Sequence, residues 1–118
     1  MARSKGTTRK KDRGERREEA LRPCHSLGYD RDALGVHLVK RGAYGFAAPQ
    51  LRRAIWLNPY EPLFKQHLAW CLYKQGDYRQ AKEWTLKALE QQEDQDARRL
   101  LRLIEETLSQ EATENQHG

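Results

Sequence analysis

The feature that most constrains this chain is an internal repetition. Residues 68–90, LAWCLYKQGDYRQAKEWTLKALE, read as a helix, a tight turn and a second helix. In the first half Leu68, Cys71 and Leu72 share one helical stripe, with Phe64 one turn upstream. Gly76 interrupts the pattern where a residue of positive φ is needed. Asp77 follows as an N-cap, and Gln80 completes a capping-box spacing. Ala81, Trp84, Ala88 and Leu89 form the stripe of the second half, which assigns Trp84 to the core. Neither helix can bury its apolar stripe alone, so the two must pack as a hairpin. The same pattern stands 34 residues earlier: Leu34, Leu38, Lys40, Gly42, Tyr44, Ala47, Ala54 and Ile55 match Leu68, Leu72, Lys74, Gly76, Tyr78, Ala81, Ala88 and Leu89 without a gap.

A helix-turn-helix unit of this period resembles the tetratricopeptide repeat family. The motif L-A-x-x-L-Y-K-Q-G-D-Y-x-x-A-x-x-x-x-x-x-A-L-E of the second copy carries the resemblance, which extends over roughly residues 29–108. It implies an all-α fold in which two antiparallel helix hairpins stack as a short right-handed solenoid. It also implies a site, because in such arrays the first helices of successive repeats line a concave groove that binds an extended peptide or a partner helix. Carried onto this chain, the groove positions are Tyr29, Asp32, Val36, Val39 and Lys40 from the first repeat. The second repeat supplies Leu63, Gln66, Trp70, Tyr73 and Lys74. Leu34, Gly35, Ala47, Leu68, Ala69 and Ala81 fall at interhelix packing positions. The lysine and asparagine clamp that some members use for a free carboxylate is absent, since its places hold Asp32, Val36, Gln66 and Trp70. The implied function is a protein–protein adaptor without catalysis.

Read in order, the chain divides into four parts. Residues 1–13 hold Arg3, Lys5, Arg9, Lys10, Lys11 and Arg13 against Asp12 alone, which accounts for the whole formal net charge of +5. With no large apolar residue after Met1, this stretch is expected to be a disordered basic tail, able to contact phosphate backbones or simply to stay solvated. Residues 14–28 read as a short, frayed helix over 14–22, closed by Pro23, and a connector. Ala20 and Leu21 fall 34 residues before Ala54 and Ile55, as the remnant of a degraded preceding repeat would. Residues 29–110 are the repeat domain. In it Asp30 is the N-cap expected for the first helix, and Pro49 predicts a late start near Phe46 or a kink in the second. Pro62 suits the first turn of the third helix. Ala97, Leu100, Leu101, Ile104 and Leu108 make residues 96–110 a capping helix. Residues 111–118 are expected to be a disordered tail.

The remaining observations narrow the function. No run approaches the ~18 apolar residues that cross a bilayer, and the N-terminus lacks an apolar signal segment. Cys24 and Cys71 make no disulfide framework, so a reducing cytoplasm fits. Cys24–His25 invites a zinc reading, but His37, His67, Cys71 and His117 complete no ligand spacing. There is no nucleophile–base pair and no phosphate loop, so neither a cofactor nor catalysis is expected. Trp70 and Tyr73 on the groove face are anchor candidates for a partner, and Trp56 fits either core or surface. Two other readings stay open. One is association with nucleic acid through residues 1–13. The other is a homo-oligomer, because two repeats fall short of the three or so that such arrays need.

Overall fold

A computed structural model describes residues 27–117. The basic tail, the helix over 14–22 and the Cys24–His25 pair lie outside the described residues. Within them the chain forms α1 (Tyr29–Lys40), α2 (Tyr44–Leu57), α3 (Pro62–Gln75), α4 (Tyr78–Gln91) and α5 (Gln95–His117), and no strand. Helix α1 packs on α2 and α3 on α4 as hairpins, while α2 on α3 and α4 on α5 join the units. Helices α1, α3 and α5 also touch in sequence, so they form one layer and α2 with α4 the other.

The two hairpin turns are the same turn. Gly42 and Gly76 stand at φ 79 and 89. In the first, Ala43 N–H donates to the Leu38 carbonyl at 2.8 Å and Gly42 N–H to Val39 at 2.9 Å. In the second, Asp77 N–H donates to Leu72 at 2.9 Å and Gly76 N–H to Tyr73 at 3.1 Å. Each is the paired bonding of a Schellman ending, which requires a left-handed residue. Asp77 then caps α4, its carboxylate accepting from Gln80 N–H at 3.2 Å.

Small residues set the helix spacing. A Cβ on Gly35 would lie 2.5 Å from the Leu51 side chain, so α1 and α2 meet with nothing between them. On α4 the buried trio is Ala81, Thr85 and Ala88. The Thr85 hydroxyl donates to the Ala81 carbonyl at 2.7 Å, which satisfies it. Trp84, expected in the core, is half-buried beside this stripe with the Lys87 ammonium 4.5 Å from its ring centroid. The small residues bring α4 close to α3, and a ring as large as indole is left at the margin. Phe64, Leu51, Leu68, Cys71 and Ile104 are fully buried at the centre. Burial pushes the Cys71 thiol up, against the opposing pull of Arg52, and its Sγ reaches the Tyr44 carbonyl at 3.6 Å.

Four further expectations are corrected. Helix α1 starts at Tyr29 behind Gly28, so Asp30 sits in the first turn instead of capping it. Helix α2 starts at Tyr44, because Phe46 and Ala47 N–H groups both donate to the Ala43 carbonyl, at 3.1 and 3.0 Å, ahead of Pro49. Leu34 is 43% exposed although its counterpart Leu68 is fully buried. Leu68 is enclosed because α3 has α2 on one side and α4 on the other; among the described residues no helix precedes α1. Helix α5 continues through 111–117, where EATENQ has neither Gly nor Pro and Thr113 donates back to the Ser109 carbonyl.

Candidate functional site

The layer of first helices encloses a groove of about 360 Å³ lined by Val36, Lys40, Gln66, His67, Trp70, Asp96 and Leu100. Val36 and Lys40 lie one turn apart on α1, Gln66 and Trp70 one turn apart on α3, and Asp96 and Leu100 one turn apart on α5. Val36 and Trp70 are repeat equivalents, but α3 adds Gln66 a turn before Trp70, whereas α1 adds Lys40 a turn after Val36. The groove therefore crosses the helices obliquely, moving one turn toward the helix N-termini from α1 to α3. Its floor is apolar, from Val36, Trp70 and Leu100. Its rim carries the Lys40 ammonium on one side and the Asp96 carboxylate, 3.1 Å from Arg99, on the other.

Four of the ten groove residues expected from sequence thus converge: Val36, Lys40, Gln66 and Trp70. Two others are corrected. Val39 is 3% exposed and belongs to the core, because it shares the buried line of α1 with Asp32 and Gly35. Asp32 is 7% exposed and accepts from His67 Nδ1 at 2.7 Å, so it holds the neighbouring helix instead of facing a ligand. The other four lie outside this groove. Tyr29 packs edge-on against Phe64, with ring centroids 4.9 Å apart. Its hydroxyl donates to Glu61 at 2.5 Å, which pushes the phenol above its ordinary pKa. Leu63 lines a smaller cavity with Gln66, between the start of α3 and the α4–α5 turn. Tyr73 leans on Tyr78, centroids 5.5 Å apart, and Lys74 is exposed beside it at the hairpin turn.

Sequence reasoning missed His67, Asp96 and Leu100. The signal for Asp96 and Leu100 was present: α5 repeats the i, i+4 pairing of α1 and α3, and so acts as the first helix of a further unit as well as a lid. Asp94 fixes its start by accepting from Asp96 and Ala97 N–H groups at 2.8 and 3.0 Å. The 35-residue separation of Asp32 and His67 carried no such signal. Among the described residues no group of three or more His, Cys, Asp or Glu side chains could hold a metal ion, and no helix is long and apolar enough to cross a membrane.

No curated protein matches the chain. A family model described as tetratricopeptide repeat matches residues 38–104, more than half of the chain, from the end of α1 into α5. That span takes in both hairpin turns and the whole of α2, α3 and α4, and the chain belongs to the tetratricopeptide repeat family.

Proposed function

We propose that this chain is a protein-binding module that receives an extended peptide or a short helix of a partner in the oblique groove. Tetratricopeptide repeats are generally protein–protein interaction modules. The observation that carries the reading here is the meeting of Val36, Trp70 and Leu100 from three helices in one concavity. Half-buried indole surface beside aliphatic side chains is the composition of an interface anchor site. Lys40 and Asp96 on opposite rims favour a ligand with an apolar anchor, an acidic residue on one side and a basic residue on the other.

The test is selection from a displayed random-peptide library, with the Trp70→Ala protein as counter-target. Selected peptides should share one large apolar residue, lose at least tenfold in affinity on Trp70→Ala, and exchange their charge preference on Lys40→Glu. Binders indifferent to both substitutions would remove the groove from consideration.

A further inference from the structure

We propose that the solvent face of α2 is a second docking surface and that its ligand is single-stranded nucleic acid. Phe46, Pro49, Arg53 and Trp56 recur at i, i+3, i+7 and i+10, one stripe of a helix whose opposite side, Ala47, Leu51 and Ala54, is buried. Phe46 is 75% exposed and Trp56 54%, and the Arg53 guanidinium stacks 4.5 Å from the indole centroid. Tyr60, 55% exposed, follows just past the helix end. The stripe is edged by two further arginines. Arg31 of α1 reaches Gln50 at 2.9 Å, and Arg52 reaches Gln80 of α4 at 3.3 Å. All three arginines thus rest on neutral partners.

Charge identifies the ligand as an anion. Helix α2 contains no Asp or Glu, its only charged side chains are Arg52 and Arg53, and Arg31 of α1 edges the same face. Shape then separates a polynucleotide from an acidic peptide. A peptide anchor needs a concavity to bury its side chain, whereas a ring three-quarters exposed stands proud of the surface. A nucleobase covers such a ring by stacking flat on it, without a pocket, while phosphates take the arginines. Phe46 and Trp56 are roughly 15 Å apart along the helix, from ten residues at 1.5 Å rise, so they serve different bases of one flexible strand. This face lies away from the peptide groove, and the proposal does not depend on that reading.

The experiment measures anisotropy of a fluorescein-labelled oligothymidine of about 16 nucleotides with the full chain, between about 50 and 200 mM salt. Phe46→Ala/Trp56→Ala should weaken binding at least tenfold with an unchanged melting curve, since both rings are exposed. Arg52→Gln/Arg53→Gln should flatten the log–log salt slope by about 1.4, two phosphates at about 0.7 each. A chain lacking residues 1–13 should bind more weakly yet keep its dependence on the two rings. Binding that ignores the ring substitutions, or that vanishes with the tail, would overturn the proposal. So would equal, ring-dependent binding of poly-L-glutamate, which would reassign the face to acidic polypeptides.

Discussion

Asp32 and His67 come from the first helices of different repeats and meet at 2.7 Å with the carboxylate almost out of solvent. A buried carboxylate that loses its side-chain donor keeps its desolvation penalty. His67→Ala should therefore destabilise the protein by about 1–3 kcal/mol, whereas exposed His37→Ala should stay within about 0.5 kcal/mol. Urea denaturation of the two variants compares them directly, and equal midpoints would deny the pair any part in joining the repeats. The tryptophans make a second comparison. Trp70 and Trp84 are both half-buried, and only Trp56 stands largely free. In single-tryptophan variants acrylamide should quench Trp56 most strongly, with Trp70 and Trp84 shielded to a similar degree. A groove peptide should protect Trp70 and leave Trp84 unchanged. Protection of Trp84 alone would place the ligand elsewhere.

At the scale of elements, the hairpin turns depend on one glycine each. An added Cβ at Gly42 or Gly76 meets no atom within 4 Å, so substitution there isolates the conformational penalty. A left-handed residue bearing a Cβ costs roughly 1–2 kcal/mol, and a β-branched one more. Gly76→Val should lower stability by at least ~1 kcal/mol, and Gly42→Val by a similar amount because the bonding is the same in both turns. An unchanged denaturation midpoint in either would mean that the turn has another conformation available. These turns were legible in the sequence because a single residue type at a single offset decides them. The edges of the stripes were not. Trp84 and Thr85 fall on either side of one helical line, and the closeness of α4 to α3, not hydrophobicity, selects the threonine for the interior. Leu34 looked like Leu68 in sequence, and its different burial depends on which helices flank α1 and α3. The groove was legible where repeat register determines it, at Val36 and Trp70. At Asp96 and Leu100 the i, i+4 pairing was present but went unread, because the polar outer side of α5 marks it as a lid; at His67 nothing in the spacing pointed to the groove.

For the molecule as a whole, α5 determines where the solenoid ends. Its inner side contributes Ala97, Leu100, Leu101 and Ile104 to the interior, and Leu108 packs against the same core. Its outer side is polar, with Arg98, Arg102 and Glu105 exposed and Lys82 reaching Glu105 at 3.6 Å. Such a face ends a stack instead of inviting another repeat. Beyond Gln110 every side chain through Gln116 is exposed, so the last turns bury nothing. Two truncations should then behave very differently. Ending the chain after Gln110 should leave the urea midpoint nearly unchanged and reduce helical ellipticity only by the missing turns. Ending it after Asp94 removes two leucines and an isoleucine from the interior, each contributing about 1.5–3 kcal/mol of burial. That loss approaches the total stability of a small domain, about 5–15 kcal/mol. The shorter chain should lose its cooperative transition or associate through the uncovered side of α3 and α4. Sedimentation together with circular dichroism distinguishes these outcomes from the alternative, a monomer that melts like the full chain, in which case the two hairpins would be self-sufficient and α5 would serve the groove alone.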